Sequence, residues 1–349
     1  MGAFLGVFLH ALGGFASGSF YIPYKQVRNW AWESYWLVGG FFSWIIVPWL
    51  VAWLTVPGLM DILTNAPKES LLWSYIMGIL WGIGGLTFGL SMRYLGISLG
   101  MAIALGYCAA FGTVIPPVWE GKIRELMSQY SGLIILSGVA VCLLGIAVCG
   151  WAGIRKEKEL SDEAKKATIQ EFSFTKGLAV ATFSGILSAC MAFGLAAGKP
   201  IAELAVAQGV APLWQQGPVL IVILAGGFTT NFLWCVLLNL KNRTGGDYLN
   251  TREPHFWRNY LFSAIAGTTW YLQFMFYGMG TSFMGAYDFS SWTLHMAFII
   301  IFSTIWGLYF HEWQGSSRPT RSLVTMGIAV VIASTLLVGY GNYLAGLGK

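Results

Sequence analysis

Residues 126–154 read LMSQYSGLIILSGVAVCLLGIAVCGWAGI, without one charged side chain. A helix needs about 20 apolar residues to cross the hydrocarbon core of a bilayer, so this stretch is long enough to span it. Charge-free runs of comparable length cover 4–24, 34–60, 70–92, 94–119, 177–198, 204–240, 259–287 and 322–348. One more, 289–310, is broken only by His295. The ten runs predict an all-α integral membrane protein of ten transmembrane helices. Composition agrees, since 56% of the 349 residues are hydrophobic and 10% charged, whereas a soluble protein carries roughly 25% charged residues. The spare apolar surface must face lipid.

The run that opens this reading has a counterpart in the other half of the chain. Gly138, Ala140, Val141 and Gly150 recur 189 residues later as Gly327, Ala329, Val330 and Gly339. At the same offset Trp81, Gly89 and Gly96 meet Trp270, Gly278 and Gly285; at an offset of 171, Gly6, Gly14 and Ser17 meet Gly177, Gly185 and Ser188. The pattern predicts two five-helix repeats, residues 1–153 and 176–349, joined by a charged and helical linker over 154–175. An odd number of spans per repeat turns the second half upside down relative to the first. Inverted repeats around a midplane site are a recurrent architecture of secondary transporters.

Ten spans put both termini on one side. Five of the 20 basic residues fall there (Lys68, Lys122, Arg124, Lys199 and Lys349), and the rest on the other side. Basic residues accumulate on the cytoplasmic face, so both termini are expected outside. Only three residues precede the first run, with no basic segment, and no cleavable signal peptide is expected. The five cysteines sit inside spans at no metal-ligand spacing. There is no phosphate-binding Gly-Lys-Ser/Thr loop, no metal pattern and no surface suited to nucleic acid. A carrier without cofactors is expected, with membrane lipid around it.

Polar chemistry is confined to a few helix faces. His10, Gly14, Ser17, Tyr21 and Tyr24 share one face of the first span; Trp270, Gln273 and Tyr277 one face of the eighth; Asp288, Ser291, Trp292 and His295 one face of the ninth. An ionised carboxylate at membrane depth costs roughly 2.5–3.5 kcal/mol or more. Asp288 is therefore tolerated only facing a wet cavity, beside a partner, or with a proton. Its counterpart in the first repeat is Leu99, and that of His295 is Gly106. Most tryptophans belong to packing or interfacial belts, but Trp81, Trp270 and Trp292 sit mid-span, where either packing or a cavity wall is open to them. Lys25, Arg93 and Lys199 lie at span ends and either snorkel to headgroups or gate the carrier. The Gly78, Gly82, Gly85, Gly89 row reads as a small-residue helix contact. For a neutral sugar, Trp270 and Trp292 offer rings for an apolar face, and Tyr271, Gln273, Tyr277 and Ser291 offer groups for hydroxyls.

The stretches FYIPYKQVRNWAWE (20–33), LWGIGGLTFGLSMRYLGISLG (80–100), WYLQFMFYGMG (270–280) and YDFSSWTLHM (287–296), with AAGKP at 196–200 and HEW at 311–313, resemble the bacterial L-rhamnose–proton symporters of the drug/metabolite transporter superfamily. The resemblance runs nearly end to end. It implies an inner-membrane carrier that takes up L-rhamnose, with L-lyxose or L-mannose as further candidates, together with a proton. His10, Tyr21, Lys25, Trp81, Arg93, Gln273, Asp288, Trp292 and His295 match positions of the family pattern. Asp288, His10 and His295 are the expected proton-coupling groups. The chain departs from the pattern at Gly85 and Thr87, where relatives carry Asn, and through 281–285. An exporter or exchanger of another small metabolite in the same superfamily is the competing expectation.

Overall fold

The computed structural model describes residues 2–95, 97–119, 121–159, 174–285, 290–309, 315–345 and 347. The expected linker helix lies largely outside them. Every regular element among the described residues is helical. Apart from two short 3-10 turns, Pro212–Trp214 and Gly245–Tyr248, they are in chain order α1 (Gly2–Ser19), α2 (Tyr21–Tyr24), α3 (Trp32–Gly40), a π-helical stretch (Phe41–Ile46), α4 (Val47–Thr55), α5 (Leu59–Asn65), α6 (Lys68–Leu95) and α7 (Ile97–Trp119). Then come α8 (Ile123–Ser128), α9 (Tyr130–Glu159), α10 (Phe174–Ser188), α11 (Cys190–Ala197), α12 (Lys199–Ala207), α13 (Gly217–Asn242), α14 (Phe256–Thr281), α15 (Ser290–Tyr309) and α16 (Arg318–Ala345).

Seven helical stretches among the described residues are long and apolar enough to cross a membrane: Phe4–Tyr24, Trp32–Thr55, Lys68–Ser91, Tyr130–Lys156, Thr175–Ala207, Pro212–Asn242 and Arg318–Ala345. Two shorter apolar helices, Ile103–Val118 and Ser290–Trp306, accompany them. The chain is an all-α, multi-pass membrane protein. Breaks between helices fall where the sequence interrupts the hydrogen-bond ladder. Pro116 and Pro117 sit near the end of α7, where each removes a backbone donor, and Pro200 opens α12 after a turn at Gly198.

Helices pack where one of them lacks side chains. A Cβ on Gly78 of α6 would collide with the carbonyl of Ile223 in α13, and one on Gly226 of α13 with the carbonyl of Tyr75. Gly267 of α14 meets the backbone of Gly39 in α3 in the same manner. Gly14 of α1 abuts Phe298 of α15, and Gly185 of α10 abuts Ala104 and Tyr107 of α7. The Gly78, Gly82, Gly85, Gly89 row divides: Gly78 and Gly82 are helix contacts, whereas a Cβ on Gly85 or Gly89 would meet no described atom within 4 Å.

The two ends of the bundle differ. Phe4 and Tyr343 approach to 6.0 Å between ring centroids, so the first and last helices start and finish at the same end. At the other end α9 is tied to α16. The Glu159 carboxylate accepts hydrogen bonds from Ser317 Oγ (2.6 Å), Thr320 Oγ1 (2.6 Å) and the Ser317 N–H (2.7 Å). They serve the open N-terminus of α16 as a cap would. These bonds hold the Glu159 carboxyl down at about 2. The tie forms with the carboxylate charged, so it is fully present above the ordinary Glu range and lost only as pH falls through that low value.

Candidate functional site

A cavity of about 440 Å³ opens at the end where both termini lie, within the usual size range of small-molecule sites. Its exposed mouth carries Lys122, Glu125, Gln129 and Lys199; its buried depth is built from Leu126, Ala192, Leu195, Tyr277 and Trp292. Four helices supply most of the wall: α7 through Gly112, Pro116 and Pro117, then α11, α14 and α15. Trp292 is fixed there by two features of α7. Its indole N–H donates to the Cys108 carbonyl at 3.0 Å, and its ring lies against Gly112, where a Cβ would collide with it.

Behind this floor lie two histidines. His10 of α1 and His295 of α15 are 0% and 1% exposed. They flank Tyr277, with ring centroids 5.4 Å and 5.3 Å away; Trp292 meets the same tyrosine edge-on at 5.7 Å. Facing helices make room for both imidazoles by having no side chain. A Cβ on Gly280 would stand 2.8 Å from His10 Cε1, and one on Gly13 would stand 3.2 Å from His295 Cε1. None of the four ring nitrogens has a hydrogen-bond partner among the described residues, and neither do Gln273 Nε2, Ser291 Oγ and Trp270 Nε1. Buried polar groups without partners are rare in proteins and call for a functional reason. The seven atoms named here lie on the faces of α1, α14 and α15 that the sequence marks as polar; others, such as those of Trp30, Ser43 and Ser316, are scattered elsewhere.

Towards the other end aromatic rings pack across the bundle. Trp270 packs on Phe20 at 4.2 Å and on Phe274 at 6.0 Å. Trp81 meets Phe274 at 5.4 Å and Trp44 at 6.4 Å. Trp36 stacks on Trp32 at 5.2 Å and on Tyr24 at 6.0 Å. Beyond the rings lies a belt of polar ties. Glu33 accepts from Asn242 Nδ2 and Thr244 Oγ1, both at 2.9 Å. Asp247 accepts from Ser34 Oγ at 2.7 Å and the Ala31 N–H at 2.9 Å. Asn259 pairs with the backbone of Arg28 in both directions, at 3.0 and 2.7 Å.

The residues marked in the sequence therefore divide by depth. Tyr277, Trp292 and Lys199 line the cavity. His10, His295, Gln273 and Ser291 are buried, the histidines in ring contact with Tyr277. Trp81 and Trp270 belong to the aromatic layer, and Tyr271 is buried in the main core cluster. Tyr21 is 44% exposed, and its rings of contact are Phe20 and Tyr24; Lys25 is exposed one turn further on. Asp288 and the Arg93 side chain lie outside the described residues. Lys122, Glu125, Gln129 and Gln216 are cavity residues that the sequence reading passed over. They sit at helix ends and in short connections, where periodicity is silent. The only available signal was QQG (215–217) before a helix start. No group of three or more His, Cys, Asp or Glu able to hold a metal occurs among the described residues.

A family profile described as L-rhamnose-proton symport protein matches residues 2–344. The chain is 37% identical over 340 residues to the L-rhamnose-proton symporter of Yersinia pestis (strain Pestoides F), covering 97% of each chain. It is 39% identical over 341 residues to the protein of that name from Pectobacterium carotovorum subsp. carotovorum (strain PC1), again covering 97% of each.

Proposed function

The chain belongs to the L-rhamnose-proton symport family, and from that membership we infer that it takes up L-rhamnose or a close deoxysugar with a proton across the bacterial inner membrane. It is a secondary transporter, not an enzyme, and the proton is its coupling ion. The observation that carries the reading to the residues is a cavity open at one end and closed at the other, with unpartnered imidazoles directly behind its floor. An alternating-access carrier needs this polarity: one side admits the solute while the other is sealed.

In the finer reading, ten spans form two inverted repeats, 1–153 and 176–349. Two pairs of helix crossings support it. Gly78 and Gly267 stand at the 189 offset, and each meets the backbone of the second span of the opposite repeat. Gly14 and Gly185 stand at the 171 offset, and each meets the fourth span of the opposite repeat. Between α13 and α15 the eighth span is α14, whose 26 residues reach about 39 Å at 1.5 Å per residue. Its polar face explains its low hydropathy. The basic residues gather at the sealed end, so the open end and both termini face the periplasm.

Sugar enters from that side and meets Tyr277 and Trp292 at the floor, with Gln273 and Ser291 behind. Tyr21, Trp81, Trp270 and Tyr271 reach it after the carrier turns, and Lys25, Arg93 and Lys199 act at the two gates. His10, His295 and Asp288 handle the proton.

Purified protein in vesicles tests the function. With acid outside and a negative interior, labelled L-rhamnose should accumulate inside while the external medium loses protons in step with sugar entry. Sugar-for-solute exchange with no proton movement would assign the chain to the exchanger class instead. Tags on the two termini should both be labelled from outside intact spheroplasts; labelling only after permeabilisation would reverse the orientation.

A further inference from the structure

The buried part of the cavity is chemically two-sided. On one side α11 reads CMAFGLAA, and its contributions to the wall are Ala192, Leu195 and Ala196, none with a side-chain donor or acceptor. Ala192 and Leu195 are each 8% exposed, so this wall lies at depth, while Ala196 continues it towards the mouth. On the α14 side stand Tyr277 and Gln216. The Gln216 side chain packs on Gly278, next in the chain to Tyr277, and its Oε1 is buried without a partner among the described residues. Trp292 closes the floor, but its N–H is already engaged by the Cys108 carbonyl, so it offers a ring surface and no donor.

We propose that the Ala192–Leu195 wall is the subsite for the C5 substituent of the sugar, and that it selects a methyl group over both hydrogen and hydroxymethyl. The proposal rests on the deoxysugar reading above and names the residues that would make the deoxy position matter. A sugar seated with its hydroxyls towards Gln216 and Tyr277 turns its remaining carbon towards α11. A methyl there is buried against Leu195 and Ala192. A hydrogen leaves that contact unmade. A hydroxymethyl brings a hydroxyl to a wall that cannot bond it, and an unpaired buried hydroxyl is unfavourable.

L-Lyxose, L-rhamnose and L-mannose share their ring hydroxyls and differ only at C5, which bears hydrogen, methyl and hydroxymethyl in turn. Their affinities for the full-length protein in detergent, measured calorimetrically, read the subsite directly. The wild type should bind L-rhamnose about tenfold more tightly than L-lyxose, the usual worth of one carbon in an apolar pocket. In Leu195→Ala that ratio should fall to about twofold. In Ala192→Ser the preference for L-rhamnose over L-mannose should shrink about tenfold, because the new hydroxyl can bond the sugar's own. General damage to the site lowers all three affinities together and leaves the ratios alone, so only a change of ratio supports the subsite. Ala192→Ser adds a single oxygen and serves where Leu195→Ala folds poorly. Unchanged ratios in both variants, with a wild type that binds L-rhamnose, would overturn the subsite and leave the function standing. A wild type that binds none of the three sugars would overturn the deoxysugar reading itself.

Discussion

Gly78→Ala in α6 is expected to lower the thermal midpoint and the folded yield markedly, while Gly85→Ala two turns along the same helix should leave both unchanged. At Gly78 the added Cβ would land on the Ile223 carbonyl of α13. The obstacle is backbone, so no rotamer change relieves it and the two helices must separate. Separation lengthens the Tyr75–Thr229 hydroxyl bond, now 2.8 Å, and lifts Trp81 away from Gly227, against which its ring is pressed. Overpacking that displaces backbone stands at or above the top of the roughly 1–3 kcal/mol range, a large share of a total stability of about 5–15 kcal/mol. At Gly85 a Cβ meets no described atom within 4 Å, and alanine is the better helix former by about 1 kcal/mol. Monodisperse yield and thermal midpoint in detergent would compare the pair. Equal behaviour of the two variants would mean that the α6–α13 crossing is looser than these contacts require.

The same helix illustrates what a sequence of this kind discloses. Spans are legible because charge is expelled from lipid-facing stretches, which leaves runs such as 126–154 unbroken. Repeated glycines are legible because a close crossing admits only hydrogen, and Gly78 with Gly267, or Gly14 with Gly185, keeps its spacing. Which glycines in a row touch a partner is not legible: Gly78 and Gly85 look alike until α13 is in place. Depth is hidden for a similar reason. Periodicity gives the face of a helix but not the level of a residue along the pore, so Trp81, Trp270 and Trp292 read as equivalents. The structure puts two in the sealing layer and one on the cavity floor. That the Trp292 N–H is spent on the Cys108 carbonyl depends on α7, and nothing around residue 292 announces it. The cavity mouth at Lys122, Glu125 and Gln129 comes from a connection between spans, which hydropathy treats as punctuation. The π-helical stretch Phe41–Ile46 has no sequence signal that separates it from the α-helix around it.

Asp288→Asn is expected to separate sugar movement from proton movement. Asp288 itself lies outside the described residues, between Gly285 and Ser290 in the chain. Gly285 lines the cavity, and Ser290 begins the helix that carries Trp292 on the floor and His295 behind it. A carboxylate carried into an occluded site at membrane depth costs roughly 2.5–3.5 kcal/mol. In the proposed cycle Asp288 takes a proton from the open side, which removes that cost, after which sugar binds, the site closes and both leave on the other side. One proton crossing 100 mV contributes about 2.3 kcal/mol, which sustains roughly fiftyfold sugar accumulation at about 1.36 kcal/mol per tenfold. Asparagine keeps the shape and neutrality of the protonated acid but releases no proton. The variant should therefore bind sugar and catalyse counterflow exchange near the wild-type rate, while its accumulation at 100 mV falls from about fiftyfold to unity. Loss of exchange together with accumulation would make Asp288 a sugar ligand first. If Asp288→Asn still concentrates sugar with unchanged pH dependence, the proton travels by the imidazoles. His10 and His295 already sit on either side of Tyr277 with no ring nitrogen partnered among the described residues, and the loss of driven accumulation should then follow His10→Asn or His295→Asn instead.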